Sequence, residues 1–115
     1  MKISQLKDAP QWLIDAKTKN EDVEIIDEIV TWNSGTWIDG TWKTGMWNNG
    51  TWENGIWMCG VWKNGIWRNG IWRNGGWYNG IWKNGAWKDG YWKKGTWKNG
   101  YWEDGVWKED RKSVV

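Results

Sequence analysis

Few side chains in this sequence have the chemistry needed for catalysis or metal binding. The chain contains no His, and Cys59 has neither a second Cys to share a metal nor a visible base to activate it. Asp39, Asp89 and Asp104 each precede a Gly at a fixed period, which makes them corner residues rather than an acid–base pair. The glycines follow that same period and do not form a phosphate-cradling motif. These residue types predict a non-enzymatic protein without a metal or cofactor.

The elements that would position any site come from a five-residue repeat. Trp recurs without a miss from Trp32 to Trp107, in sixteen x-Trp-x-x-Gly units in which only Asp110 replaces the final Gly, and Asn or Asp precedes eleven of the fifteen glycines. Asn-Gly between short apolar segments is typical of two-residue hairpin turns. A meander of antiparallel strands with a strict five-residue period is excluded, however. Residues two apart on a strand form backbone hydrogen bonds to the same neighbouring strand, whereas the turns at the two ends of each strand would need hydrogen bonds to opposite neighbours. The repeat therefore predicts an all-β parallel solenoid with Trp inside and Asn-Gly at the corners.

In this register the chain resembles the pentapeptide-repeat family, which places a small residue two positions before a central Leu or Phe. Gly65 and Trp67 occupy the corresponding positions, and the exchange nearly conserves volume. The resemblance covers residues 31–110 and implies a right-handed quadrilateral β-helix of about four coils, each with four pentapeptides and inward Trp columns. It also implies a homodimer, because members of that family often pair through the C-terminal end.

The array and its leader are also similar to uncharacterised small proteins of tailed phages that carry x-Trp-x-x-Gly repeats. That resemblance rests on residues 2–8 together with the array, and it implies no activity. The N-terminus lacks the apolar run of a signal peptide, and no stretch approaches the length of a membrane span. A single Cys fits a reducing compartment. We therefore expect a cytoplasmic protein with no membrane contact, in the host cell if it is phage-encoded.

Three segments are predicted along the chain: a cap at 1–30, the solenoid at 31–110 and a tail at 111–115. Within the cap, Ala9 to Thr18 reads as a short helix with an apolar stripe, and residues 23–30 read as a strand, a bend and a second strand. Solenoids need an atypical end that covers their open core. The leader is therefore expected to close the N-terminal end.

A four-sided coil would stack outward residues at intervals of twenty, and one such column is apolar at three consecutive positions. It contains Ile38, Met58, Tyr78 and finally Lys98, with Ile56 on the same face and Cys59 at its corner. Gly76 replaces the usual bulky residue there. Exposed apolar columns are typical of docking surfaces. The first functional hypothesis is therefore a module that binds a protein partner, such as host machinery, through this column.

Two neighbouring columns of the four-sided coil are basic and support a second hypothesis. Their Lys and Arg residues are Lys43, Lys63, Arg68, Lys83, Lys88 and Lys108. Regularly spaced cations can contact the phosphates of a nucleic acid or another polyanion. A third hypothesis is a purely structural protein that assembles with copies of itself.

Overall fold

The computed structural model describes residues 1–108, which form a parallel β-solenoid behind an N-terminal cap. The cap contains a 3-10 turn at Ile3–Gln5, helix α1 at Gln11–Ile14 and strand β1 at Lys17–Ile26, and β2 follows at Ile29–Asp39. Fourteen strands of two residues each complete the solenoid: β3 Thr41–Trp42, β4 Met46–Trp47, β5 Thr51–Trp52, β6 Ile56–Trp57, β7 Val61–Trp62, β8 Ile66–Trp67, β9 Ile71–Trp72, β10 Gly76–Trp77, β11 Ile81–Trp82, β12 Ala86–Trp87, β13 Tyr91–Trp92, β14 Thr96–Trp97, β15 Tyr101–Trp102 and β16 Val106–Trp107.

Each coil of the solenoid has three sides. Strands fifteen residues apart pair in parallel, so that Trp67 lies in register with Trp52 on one side and Trp82 on the other. The backbone ladder follows this period, since the amide of Arg68 donates to the carbonyl of Trp52 at 2.8 Å. Strand β2 is long enough to supply the first two sides. The repeat therefore completes about five coils of fifteen residues.

The predicted parallel solenoid with inward Trp columns is confirmed, but the prediction of four sides and four coils is wrong. The core supplies the physical reason. Trp52 lies edge to face against Trp47 and Trp57, with 5.9 Å between ring centroids in both pairs, and Trp47 and Trp57 are 6.5 Å apart. Three indoles thus close around the axis, whereas a fourth would move diagonal pairs apart and leave a gap that close packing does not tolerate. The right-handed sense of the coil stays a prediction.

Along the axis the indoles form stacked columns. Trp67 is 4.8 Å from both Trp52 and Trp82, with interplanar angles of 5° and 6°. This distance matches the spacing of paired strands. The rise of each coil along the axis therefore suits both the backbone hydrogen bonds between coils and the stacking of the indole rings.

The corners depend on glycine. Gly65 has a φ of +126°, and a β-carbon built on it would collide with the backbone carbonyl oxygen of Gly50 in the preceding coil. The residue before a corner glycine contributes hydrogen bonds, since the Asn74 side chain accepts one from the Gly75 amide at 2.9 Å. The Asn74 carbonyl in turn accepts the indole N–H of Trp57 at 3.1 Å. Corner carbonyls thus accept the indole N–H groups of Trp57 and, at Lys94, of Trp77.

The cap closes the N-terminal edge of the first coil. Strand β1 pairs antiparallel with β2, and the two are joined at Asp27 and Glu28, whose φ angles of 51° and 67° fit a type I′ hairpin turn. The predicted strand, bend and strand are therefore confirmed. The predicted helix over Ala9 to Thr18 is too long: Lys17 and Thr18 already pair with β2, which leaves one helical turn. Strand β2 also crosses the predicted boundary between residues 30 and 31.

The two ends of the Trp core are covered differently. At the N-terminal end, Trp12 packs edge to face on Trp42 at 5.2 Å and lies 6.5 Å from Trp37. At the other end Trp102 and Trp107 are only half-buried. Residues 109–115, including Asp110 and the predicted tail, lie outside the described residues. The described coils therefore have a finished N-terminal end and an apolar C-terminal surface.

One carboxyl group helps to hold the cap together. The Glu21 side chain accepts a hydrogen bond from the amide of Ile3 at 3.0 Å. Burial alone would raise the pKa of Glu21, but the amides of Ile3 and Glu21, the Thr18 hydroxyl and the charge of Lys2 together lower it. The ionised form of Glu21 therefore stabilises the folded cap.

Candidate nucleic-acid interface

The three-sided coil determines which outward side chains share a face. We name each face by the Trp residues beneath it: face A covers Trp32, Trp47, Trp62, Trp77, Trp92 and Trp107; face B covers Trp37, Trp52, Trp67, Trp82 and Trp97; face C covers Trp42, Trp57, Trp72, Trp87 and Trp102. Residues on either side of each Trp point outward because side chains alternate along a strand.

The apolar column predicted from a twenty-residue period does not exist. Ile38 follows Trp37 on face B, Met58 follows Trp57 on face C, and Tyr78 follows Trp77 on face A. The prediction that these three side chains form one docking surface is therefore wrong, because their spacing of twenty residues exceeds one coil by a full side.

Tyr78 has a local role on face A instead. Its ring covers Gly76, because a β-carbon built on Gly76 would lie 3.0 Å from Tyr78 Cε1. The Lys93 ammonium lies 5.5 Å from the centre of the same ring, within the range of a cation–π contact. An aromatic ring that packs over a strand glycine fills the space left by the missing side chain. This accounts for the coincidence of Gly76 and Tyr78 in one unit.

Part of the predicted docking set does stay together on face C. Ile56 and Met58 flank Trp57, and Cys59 occupies the following corner. Ile71 pairs in register with Ile56 in the next coil. Met58 and Ile71 are 38% and 36% exposed, respectively. The structure thus assembles a small apolar cluster from Ile56, Met58, Cys59 and Ile71.

The three-sided coil places most of the basic residues of the C-terminal coils on faces that carry no acid in those coils. Between residues 61 and 108, faces A and B and the corner between them hold seven exposed cations and no acid: Lys63, Lys93, Lys94, Lys108, Arg68, Lys83 and Lys98. We call this set the basic surface. Arg68, Lys83 and Lys98 form one column on face B, and the rings beneath them are stacked at 4.8 Å. Neighbouring cations in this column are therefore about one strand spacing apart.

Face C has a different charge balance in the same coils. Its bases Arg73 and Lys88 are accompanied by Asp89, Glu103 and Asp104. Lys88 and Glu103 form an ion pair with 3.8 Å between Nζ and Oε1. Surface pairs of this kind add little stability, but they do neutralise the local field. The excess positive charge in these coils therefore belongs to faces A and B.

Charge also varies along the solenoid axis. Residues 1–60 carry five bases and nine acids, whereas residues 61–108 carry nine bases and three acids. The molecule is 45 Å long, so the acidic N-terminal half and the basic C-terminal coils lie toward opposite ends of it. Such a distribution orients the molecule in the field of a charged partner.

The basic set predicted from sequence is only partly brought together. Lys63, Arg68, Lys83 and Lys108 belong to the basic surface, but Lys43 and Lys88 lie on face C. Sequence reasoning left Lys93 and Lys98 out of the basic set because a twenty-residue period assigned them to other columns, and it left out Lys94 because that residue occupies a corner position. The fifteen-residue recurrence of Arg68, Lys83 and Lys98 was the available signal.

Comparisons with known protein families, with curated proteins and with solved structures found no match for this chain. Across residues 1–108, no helix is long and apolar enough to cross a membrane.

Proposed function

We propose that the protein binds the phosphate backbone of nucleic acid through the basic surface, without reading base sequence. The observation that carries the proposal is the separation of charge between faces in residues 61–108: seven cations without an acid on faces A and B and the corner between them, against a mixed face C. Clustered Lys and Arg bind nucleic acid by displacing the counterions condensed on its phosphates.

The spacing of the basic surface suits a repeating anionic partner. The Arg68 column presents a cation about every 4.8 Å along the axis. Phosphates rise by about 3.4 Å per nucleotide along one strand of duplex DNA. The two repeats are of similar size, and long Lys and Arg side chains can adjust to the difference. Backbone contacts of this kind position a protein on nucleic acid without specifying its sequence.

Salt dependence measured by fluorescence anisotropy with labelled duplex and single-stranded DNA tests the proposal. With four to seven phosphate contacts, the logarithm of the binding constant should fall with the logarithm of salt concentration with a slope of about −4 to −6 on duplex DNA. The affinity should not depend on base sequence. Absence of binding at about 50 mM salt, where such contacts are strong, would refute the proposal.

Faces B and C offer a matched pair of variants. Arg68→Gln with Lys83→Gln removes one Arg and one Lys from adjacent coils of the basic surface, and Arg73→Gln with Lys88→Gln does the same on face C. The face B variant should reduce the magnitude of the salt slope by about 2, one for each lost contact. The face C variant should keep the wild-type slope. Equal effects of the two variants would show that general charge, and not the basic surface, governs binding.

Protein docking through the cluster on face C is the second candidate function. It is favoured by the exposure of Met58 and Ile71 next to Ile56 and Cys59. Exposed apolar side chains that adjoin one another commonly mark interaction sites. This candidate keeps the part of the predicted docking surface that lies on one face.

Capture of partners from a cell lysate with Met58→Ser and Ile71→Ser tests this second function. Ile38→Ser and Tyr78→Ser are the controls, because those residues lie on faces B and A. A partner held by face C is lost in the first pair of variants and kept in the second. Capture that survives Met58→Ser and Ile71→Ser would exclude this cluster as the docking site.

A further inference from the structure

The N-terminal cap contains a cleft that lies outside the basic surface. Strand β1 covers the first-coil edges of faces A and B by pairing with β2, while α1 packs on β3 below face C. These two cap elements meet incompletely, and the space between them is a cleft of about 440 Å³. This volume falls in the range of small-molecule sites.

The walls of the cleft are apolar and include one aromatic ring. Pro10, Trp12, Ile25 and Ile29 line it. Trp12 packs edge to face on Trp42 at 5.2 Å on its core side, which fixes its ring while part of the indole remains accessible. Ile29 is 50% exposed although it is a large aliphatic residue at the start of a strand. The cap therefore leaves apolar surface in contact with water at this point.

Two carboxylates also line the cleft, together with Val30, Thr44 and Gly45. Asp8 precedes α1, and Glu28 is held in the type I′ turn between β1 and β2. Neither forms an ion pair with any of the described residues, and no Lys or Arg lines the cleft. Glu28 is held in the hairpin turn, and Asp8 lies two residues before Pro10, the N-cap of α1. The cleft thus combines negative charge with an aromatic wall.

We propose that this cleft binds a small organic cation with a quaternary or alkyl-substituted ammonium group. The ammonium would lie between the carboxylates of Asp8 and Glu28 and over the face of Trp12, while its alkyl groups contact Ile25 and Ile29. A cation with apolar substituents suits this lining because it gains both Coulomb attraction and cation–π contact without losing a strong hydration shell. The site lies on the acidic cap and is independent of the basic surface.

A titration of the whole protein with choline, followed by NMR of the isoleucine methyl groups, tests the proposal. Choline should shift the Ile25 and Ile29 methyl signals saturably, whereas the neutral analogue with carbon in place of the quaternary nitrogen should produce no saturable shift at equal concentrations. Glu28→Gln should weaken choline binding by about threefold and the double variant with Asp8→Asn by about tenfold, as expected for partly exposed charge pairs.

Glu53→Gln provides a matched control, because Glu53 is an exposed carboxylate on face B away from the cleft. It should leave choline binding unchanged, and Glu28→Gln should leave nucleic-acid binding unchanged. Equal binding of choline and its neutral analogue would overturn the proposal, and so would equal loss in Glu53→Gln and Glu28→Gln. Saturable binding of an acetylated lysine peptide in the absence of choline binding would also overturn it, in favour of a protein ligand.

Discussion

Two adjacent glycines, Gly75 and Gly76, are predicted to respond in opposite ways to the same substitution. Gly75 is a corner residue with a φ of +123°, and a β-carbon built on it would collide with the carbonyl oxygen of Gly60. Gly76 is the first residue of β10 and lacks a positive φ, and its added β-carbon would meet only the movable ring of Tyr78. The pair therefore separates backbone geometry from general effects of removing a glycine.

The cost of Gly75→Ala follows from the contacts of the corner. A side chain at this φ carries a backbone strain of about 1–3 kcal/mol. The collision also displaces the coil that accepts the bond from the Gly76 amide to the Gly60 carbonyl, now 3.0 Å long. Loss of that hydrogen bond adds about 0.5–1.5 kcal/mol. We expect a destabilisation of about 2–4 kcal/mol, or a fall in Tm of about 4 °C for each kcal/mol.

Gly76→Ala should instead be neutral or stabilising. Ala restricts the unfolded chain, which is worth about 0.4–1 kcal/mol where the native backbone accepts it. Ala86 already occupies the equivalent position of face C in the same coil. The Tyr78 ring must turn outward to relieve the 3.0 Å approach, and it can do so because it is 43% exposed.

Urea denaturation monitored by near-ultraviolet circular dichroism would measure both changes, since the signal comes from the ordered Trp columns. Far-ultraviolet circular dichroism of the same samples would show whether strands and Trp columns unfold together, as the two-state treatment requires. Stability of Gly75→Ala equal to that of the wild type would refute the corner geometry. A large loss in Gly76→Ala would refute the assignment of Tyr78 as an adaptable cover.

Two further predictions concern the three-sided coil and the cap. In an Asn74→Cys variant, oxidation should join residue 74 to Cys59, because corner positions fifteen residues apart are separated by one coil, and the rings of Trp57 and Trp72 in these two coils stack at 4.7 Å, a spacing that suits a disulfide. Asn79→Cys should not form this bond, although a four-sided coil would place residue 79 directly above Cys59; mass spectrometry after proteolysis distinguishes the two outcomes. Glu21→Gln should lower stability at pH values above the ordinary glutamate pKa, and the difference from wild type should vanish as pH falls through the lowered native pKa of Glu21. Denaturation curves at neutral and strongly acidic pH check this, and a difference that persists in acid would show that the Ile3 contact does not depend on ionisation.

The unit itself contained enough information to predict the core and the corners. Trp67 must lie inside because hydrogen-bond parity excludes a meander. Gly65 must lie at a corner because Asn-Gly is a turn signal and Gly tolerates a positive φ. Both inferences use only the local pattern of one unit. The bend between β1 and β2 was equally local, since it followed from acids that interrupt a run of β-branched residues.

The number of sides could not be predicted from the unit. A five-residue repeat is compatible with three or four sides, and the choice depends on how indoles from different units meet around the axis. The closed contact of Trp47, Trp52 and Trp57 is a property of three units together. Every statement about surface columns depends on this number, which is why Ile38 and Tyr78 were assigned to one face although they lie on two. The helix was overestimated for a related reason, since pairing with β2 overrides the local preference of Lys17 and Thr18.

The equivalence of all units within a three-sided coil has a consequence for how such a chain can change. Gain or loss of one five-residue unit preserves the indole contacts and the corners, but it rotates everything beyond that point by a third of a circle relative to the cap. One extra unit before Ile66 would move the Arg68 column from face B to face C and bring Asp89 and Glu103 to face A. Each inserted or deleted unit therefore moves all later outward residues from one face to the next. Slippage of the repeat alters the angle between the cap cleft and the basic surface while leaving the core contacts in place.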